Sequence, residues 1–214
     1  TLLYSHPNPA AASVHRRAGH LPLGRFVRLV KLLSVPRGPG WLRAASAWPL
    51  RLWGREPALP AGFEADEVPP GGFGGAFDDL FDRLAPTLGV AVERHGPYLA
   101  WRFHECPHET IVVLALRKGG LRGYVAWSAR DGYVAVKDWL ADSPEHADAL
   151  FGELARRARA HGAAWLSVTA LEGHPHLPRL RRLGYLERPE HTLAVAYAPE
   201  SSAVRAAVVD PGSW

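Results

Sequence analysis

The chain has 214 residues, of which 47% are hydrophobic, 21% charged and 10% aromatic, with a formal net charge of +4. This composition is typical of a globular protein with a core, and the absence of a run of 18 apolar residues and of a basic block argues against membrane and nucleic-acid partners. Cys106 is the only cysteine, which excludes an internal disulfide and favours the cytoplasm.

Residues 1–34 predict a strand, a loop, a short helix and a second strand. The helix AAASVHRRAG ends at Gly19, and FVRLVKLL after it alternates apolar and basic residues like a half-exposed strand. Because the sequence has no Met and opens with TLLYSHPN, we expect a piece of a longer protein. Residues 35–62 are rich in Pro, Gly and Trp and predict a connector packed on a domain surface.

A second unit is predicted at residues 63–198, followed by an irregular tail at residues 199–214. The strand FEADEV precedes two helices, AFDDLFDRLAPTL and the segment Pro97 to Phe103. Three strands come next, TIVVLALRKGG, LRGYVAWSARDG and YVAVKDWLAD, and the turn signals between them predict hairpins.

The longest predicted helix has Ser143 as N-cap and Pro144 in its first position, and it ends at Gly162. The strand AAWLSVTAL follows it, and a strand, a crossover helix and a strand make a right-handed parallel unit. The helix HLPRLRRLG and the strand HTLAVAYA complete the unit. These elements predict an α/β fold, an α+β sandwich in which helices flank both faces of a mixed sheet.

A spaced motif lies near the start of the chain. Its positions are Asn8, Ala11, Val14, His15, Arg17, Gly19 and His20. In register it resembles the pattern Asn-x-x-Ala-x-x-apolar-Tyr-x-basic-x-Gly-aromatic of the GNAT superfamily of acyl-CoA N-acyltransferases, with His15 in place of Tyr. The resemblance implies a mostly antiparallel GNAT sheet, acetyl-CoA as co-substrate and no metal. It also implies that Asn8 holds the coenzyme arm and that His15 protonates the departing thiolate, as an imidazole can near neutral pH.

The segment 63–198 resembles a further GNAT unit in element order, as in Fem-like proteins that carry two such domains in tandem. In the family a Gly-containing loop before the long helix cradles the coenzyme pyrophosphate. Here residues 141–145 read ADSPE, with no Gly, no N–H at Pro144 and two carboxylates, and Leu180 stands where the Tyr falls. We therefore expect this unit to be degenerate and not to bind acyl-CoA in the usual way, so that residues 1–34 end the catalytic unit.

Four further residues are candidates for the site. Tyr98, Trp101 and Arg102 share one face of a predicted short helix, where they would bind the acceptor or, alternatively, pack in the core. Asp138 interrupts the apolar strand VAVKDWL. The resemblance implies that it is a general base at the cleft, and the alternative is that it pairs with an Arg.

Two loops contain metal-ligand residue types, HECPH at residues 104–108 and HPH at residues 174–176. Neither offers two separated ligand pairs, so we interpret both as structural and predict no metal.

The leading hypothesis is a fragment of a tandem GNAT protein that transfers an acyl group from acetyl-CoA to a small-molecule or peptidyl amine. One alternative is a Fem-like transferase that uses aminoacyl-tRNA, and this is the one case in which a nucleic-acid partner is expected. The other alternative is a catalytically inactive GNAT-fold module that serves in binding.

Overall fold

The computed structural model describes residues 3–5, 7–8, 10–34, 56–89, 91–188 and 192–197. Most of the predicted connector, residues 35–55, and the predicted tail lie outside the described residues. The strands are β1 (Leu3–Ser5), β2 (Leu21–Leu32), β3 (Glu64–Glu67), β4 (Val112–Arg117), β5 (Leu121–Arg130), β6 (Tyr133–Ala141), β7 (Trp165–Leu171), β8 (Leu186–Arg188) and β9 (Leu193–Tyr197). The helices are α1 (Ala12–Arg17), α2 (Gly75–Leu84), α3 (Gly96–Leu99), α4 (Pro144–Ala160) and α5 (Leu177–Arg182), with a 3-10 turn at Ala85–Thr87 and a π turn at Ala100–His104.

The described strands form one mixed sheet in the order β1-β9-β2-β7-β6-β5-β4-β3, and β8 pairs with β2. Within this sheet β6 and β7 are parallel because α4 crosses over between them. The other neighbouring strands are antiparallel. The predicted fold class, a mostly antiparallel mixed sheet flanked by helices, is confirmed.

Helices cover the two faces of the sheet, and each face has its own apolar core. The alternation of side chains along β5 divides the two cores, since Val125 and Trp127 pack with α4 whereas Tyr124 and Ala126 pack with α2 and α3. The α4 core includes Leu29, Leu33, Leu150, Phe151, Leu154, Leu166, Val168 and Tyr185. The α2 core includes Phe77, Leu80, Phe81, Leu99, Phe103 and Val113. The two cores thus cover opposite faces of the sheet.

The strand of the predicted first unit lies in the same sheet as the predicted second unit. β2 runs between β9 and β7 and pairs with β7 from Phe26, opposite Leu171, to Leu32, opposite Trp165. The division of the chain into two units stays a prediction.

The alternation of apolar and basic residues in β2 predicts that the basic side chains point outward, and this prediction is wrong for Lys31. This side chain is buried, at 3% exposure, on the same face as Leu29 and Leu33. Its ammonium group donates to the carbonyl oxygen of Leu183 at 2.6 Å and lies 3.4 Å from a carboxylate oxygen of Glu56. Burial lowers the pKa of Lys31, and the Glu56 charge works against that shift. The charge is tolerated in the core because it has partners there.

Glu56 belongs to residues 56–60, which pack across α4. Its carboxylate pairs with Arg159 of α4 at 2.5 Å. The next residue, Pro57, lies so close to Gly152 that a side chain there would meet the Pro57 ring nitrogen at 3.1 Å and its carbonyl oxygen closer still. A glycine in the middle of α4 is therefore explained by the close approach of this segment.

Candidate functional site

The sheet opens between β6 and β7. The two strands pair at three positions, the last of which joins Ala135 and Ser167. Beyond that position a β-bulge at Lys137 bends β6. The carboxyl-terminal ends of the two strands lie at a cleft of about 840 Å³. This volume is in the range of small-molecule binding sites.

The wall of the cleft is mostly apolar. It is built by β2 and β9, by the segment after α2, by the end of β6 with the start of α4, and by the end of β7 with the start of α5. Its apolar side chains are Leu23, Phe26, Leu84, Leu88, Ala91, Val92, Trp139, Leu140, Ala141, Pro144, Ala147, Leu171, Pro175 and Ala194. Its polar side chains are Thr87, Arg94, Asp142, Ser143, His174, His176 and Arg179. A few polar groups on an apolar wall are what orients a small ligand in a cleft.

Arg94 is bound to Asp138, the predicted general base. The guanidinium donates to the two carboxylate oxygens at 3.0 and 3.1 Å, and the Tyr124 hydroxyl donates to the same carboxylate at 2.8 Å. Burial opposes the charge of Arg94, but Asp138 more than offsets it and raises the pKa of Arg94. Burial and the Asp138 charge both raise the pKa of Tyr124, which stays a neutral donor. Asp138 thus accepts three hydrogen bonds, and its role as a base stays a prediction.

The other charged groups of the wall also have partners. Arg179 donates to Asp148 at 2.7 Å and to Glu145 at 3.0 Å. Asp142 accepts from Arg122 at 3.4 Å and is in close contact with the ring of His146. The wall therefore presents charges that are already neutralised in pairs.

His174, three residues after the end of β7, differs from these groups. Its Nδ1 accepts a hydrogen bond from the backbone N–H of His176 at 3.1 Å, and its ring lies 5.3 Å from that of Trp139. Burial, with the charges of His176 and Arg94, lowers the pKa of His174 to about 4. The ring is thus neutral at pH 7, and because Nδ1 is an acceptor, Nε2 carries the proton.

The amino-terminal end of α4, where the resemblance predicts a pyrophosphate site, lies at the same cleft. Pro144 has no N–H, and the backbone N–H of Glu145 lies near the residue's own carboxylate, whose pKa it lowers. The N–H of His146 donates to the Ser143 hydroxyl at 3.2 Å, and the N–H of Ala147 donates to the Ser143 carbonyl at 3.1 Å. An anion at a helix start needs unpaired backbone donors. Pro144 thus offers no donor and the donors of His146 and Ala147 are occupied within the chain, which supports the predicted loss of the pyrophosphate site.

The predicted coenzyme and acid residues, Asn8 and His15, are not among the residues that line the cleft. The Asn8 side-chain oxygen accepts from the N–H of Ala11 at 2.8 Å, so it stabilises the turn that starts α1. The ring of His15 lies edge-on to that of His20, with 4.6 Å between centroids. The structure does not place these residues with Asp138, and their roles stay predictions.

The predicted acceptor-binding residues also lie outside the cleft wall. The rings of Tyr98 and Trp101 are 5.8 Å apart on α3 and its π turn, and Trp101 is 61% exposed. The guanidinium of Arg102 lies over the Phe103 ring at 5.8 Å. Their role in binding an acceptor stays a prediction.

Sequence reasoning missed His174 and Arg94 as cleft residues. Its pattern of ligand types indicates a structural role for the HPH loop, although this loop begins three residues after the end of β7, at the end of the sheet where crevices form. No feature of the sequence around Arg94 indicates that this residue lines a cleft. Across the described residues no group of three or more His, Cys, Asp or Glu side chains could hold a metal ion, and none of the described helices has the length and apolar character needed to cross a bilayer.

Comparison with known proteins finds the fold but no close sequence relative. No family model matches the chain, and no curated protein matches it. A conserved protein of unknown function from Enterococcus faecalis superposes with a TM-score of 0.64 at 12% identity, over 90% of this chain and 44% of that one. A GCN5-related N-acetyltransferase from Anabaena variabilis gives a TM-score of 0.58 at 13% identity, over 91% of this chain and 45% of that one.

A tandem GNAT protein from the clavulanic acid biosynthesis pathway gives a TM-score of 0.57 at 15% identity, over 94% of this chain and 66% of that one. The chain thus spans from under half to about two thirds of these structures. The predicted GNAT fold is confirmed by this likeness together with the single parallel pair β6–β7.

Proposed function

We propose that the chain functions in acyl-CoA-dependent N-acyl transfer, with acetyl-CoA as donor and a small-molecule or peptidyl amine as acceptor. The observation that supports this is the GNAT fold with an open, mostly apolar cleft between β6 and β7. In the reaction the amine nitrogen attacks the thioester carbonyl, a C–N bond forms and the C–S bond breaks. A base takes the amine proton and an acid protonates the departing thiolate.

Within this function the unit with the cleft does not cradle the coenzyme diphosphate. In the first turn of α4 Pro144 has no N–H and the donors of His146 and Ala147 are occupied, and the nearby carboxylates of Asp142 and Glu145 add negative charge. The coenzyme would then be held by the unit to which Asn8 and His15 belong, with His15 as the acid. The described cleft would take another part of the reactants.

The test is acetyl transfer by the full-length natural protein, followed as thiol released from acetyl-CoA in the presence of a panel of amines. His15→Ala should lower the rate by about a hundredfold, the scale of general acid catalysis. His161→Ala is the matched control, because this exposed histidine lies at the far end of α4. Equal rates for the two variants would refute the role of His15, and no release with any amine would refute transfer.

A second candidate function is a catalytically inactive GNAT-fold binding module. The occupied donors at the start of α4 favour it. Calorimetry with acetyl-CoA separates the two candidates. A module without transfer binds no acetyl-CoA even as the full-length protein, whereas the transferase binds it there.

A further inference from the structure

A depression separate from the cleft lies where the parallel strands β6 and β7 begin. It has a volume of about 580 Å³ and is lined by Arg28, Val30, Tyr133, Trp165 and Arg188. Tyr133 and Trp165 form the first pair between β6 and β7, and none of the five residues lines the cleft at the other end of these strands. The depression is therefore a second candidate site.

The depression lies on the face of the sheet that is turned away from α4. Leu29 of β2 packs in the α4 core, so the neighbouring Arg28 points to the other face. In β7 the same alternation places Leu166 in the α4 core and Trp165 on the other face. Arg188 of β8 is directly opposite Arg28 in the antiparallel pair of β2 and β8 and shares its face. Two arginine side chains thus lie next to each other at this depression.

Two like charges in this arrangement are unfavourable unless an anion lies between them. Directly opposite residues of an antiparallel pair have Cβ atoms about 4.5–5.5 Å apart, and like charges at this distance destabilise the pair. Among the residues that the structure describes, no carboxylate forms an ion pair with Arg28 or Arg188. The described part of the chain therefore supplies two positive charges here without the anion that would balance them.

Arg28 is held in position by a chain of hydrogen bonds. Its Nη2 donates to the Tyr133 hydroxyl at 2.6 Å, and its guanidinium carbon lies 5.5 Å from the centre of the Tyr133 ring. The Tyr133 hydroxyl in turn donates to the Oγ of the buried Ser167 at 2.5 Å. A guanidinium has five N–H donors, so the bond to Tyr133 leaves the others for a ligand. Because the group is fixed before a ligand arrives, less entropy is lost on binding.

The ligand that matches this site has about two negative charges, several oxygens and an apolar part. A phosphate monoester carries a charge of about −1.5 to −2 at pH 7 and three acceptor oxygens, and a guanidinium can bind two such oxygens at once. A carboxylate would balance only one of the two arginines. We propose that the depression binds a small phosphate monoester, with the phosphate between Arg28 and Arg188 and the organic part against Trp165.

The probe is phenyl phosphate, and calorimetry measures its binding to the chain at pH 7. We expect Arg188→Gln to weaken binding about ten- to a hundredfold, the worth of hydrogen bonds to a charged group. Arg188→Lys should weaken it less, because a lysine keeps the charge but loses the two-pronged geometry. Arg182→Gln is the matched control and should bind as the natural chain does, since this exposed arginine belongs to α5, which packs in the α4 core.

Urea unfolding separates ligand binding from support of the fold. Without ligand, Arg188→Gln removes the repulsion from Arg28, so the variant should be as stable as the natural chain or slightly more stable. Saturating phenyl phosphate should stabilise the natural chain and should stabilise the variant less, because a ligand stabilises the state that it binds. A variant that is less stable than the natural chain without ligand would overturn the proposal, because Arg188 would then serve the fold.

Two further ligands test the charge and the organic part of the ligand separately. Benzenesulfonate has the same ring but one charge, and it should bind about tenfold more weakly than phenyl phosphate. Inorganic phosphate has the charge but no ring to place against Trp165, and it should also bind more weakly.

Three results would overturn the proposal outright. They are no binding of phenyl phosphate, unchanged binding by Arg188→Gln, and benzenesulfonate binding as tightly as phenyl phosphate, since a phosphodiester with one charge would then fit equally well. Inorganic phosphate binding as tightly as phenyl phosphate would overturn the role of Trp165 and leave a site for free phosphate. None of these results depends on acyl transfer, because the depression and the cleft share no lining residue.

Discussion

Substituting Gly152 tests whether the segment that begins at Glu56 is packed on α4. An added side chain would meet the Pro57 ring nitrogen at 3.1 Å and its Cδ at 3.2 Å, with the carbonyl oxygen nearer than any of these. Gly152→Ala must therefore move the segment or bend the helix, at an overpacking cost of about 1–3 kcal/mol. Because Ala favours a helix over Gly by about 1 kcal/mol, the net loss of unfolding free energy should be about 0–2 kcal/mol.

The loss should be larger than this if the movement also separates Glu56 from Lys31 and Arg159, because their charges would stay buried without a partner. Urea unfolding followed by circular dichroism measures the change. Gly75→Ala is the matched control, since this helical glycine of α2 has no atom within 4 Å of an added Cβ, and it should be neutral or slightly stabilising. A Gly152→Ala variant as stable as the Gly75→Ala variant would refute the packing of the segment on α4.

Three further predictions concern the cleft. The pKa of His174 is about 4 in the folded chain and 6.5 in the unfolded chain, so the unfolded state gains the proton first as the pH falls. The free energy of unfolding should therefore fall by up to about 3 kcal/mol between pH 6.5 and pH 4. Urea unfolding across this range should show a smaller fall for His174→Gln. Asp138→Ala should lower the free energy of unfolding by about 3–5 kcal/mol, because Arg94 stays buried without its partner. In a double-mutant cycle measured by urea unfolding, the double variant with Asp138→Ala and Arg94→Ala should lose less than the sum of the two single losses. Ser143→Ala should cost about 1 kcal/mol in the same assay, because it removes the N-cap of α4.

The elements of the fold could be predicted because their signals are local. Ser143 and Pro144 mark the start of α4, and the turn glycines separate β4, β5 and β6. Each of these signals depends on backbone preferences within a few residues. The parallel pair β6–β7 also follows from order alone, since a crossover helix lies between the two strands.

The partners of buried charges could not be predicted because they are distant in sequence. Lys31 looks like a surface residue in the sequence, because the carbonyl to which it donates belongs to Leu183, 152 positions away. Arg94 and Asp138 are 44 positions apart and come from different elements. The sequence does give Asp138 as a charge in an apolar strand, and it correctly suggested an Arg partner as the alternative to a base. The sequence does not identify which Arg is the partner of Asp138, because that depends on the tertiary fold.

The neutral state of His174 in the cleft also could not be predicted from the sequence. His174 has an ordinary loop sequence, and its neutral state depends on burial and on the positive charges around it. Its donor tautomer depends on one backbone hydrogen bond. The position after a strand end was the one available signal, and it marks a place for a ligand without naming the residue.

The central claim, that the start of α4 cannot cradle a diphosphate, is tested most directly by amide NMR of this first turn. The backbone N–H signals of Glu145, His146 and Ala147 are followed while CoA, and separately pantetheine, is added to the chain. We predict that CoA shifts these three signals no more than pantetheine does, since the donors of His146 and Ala147 are bonded within the chain and that of Glu145 lies near its own carboxylate. Saturable shifts with CoA at micromolar concentration, absent with pantetheine, would contradict the account.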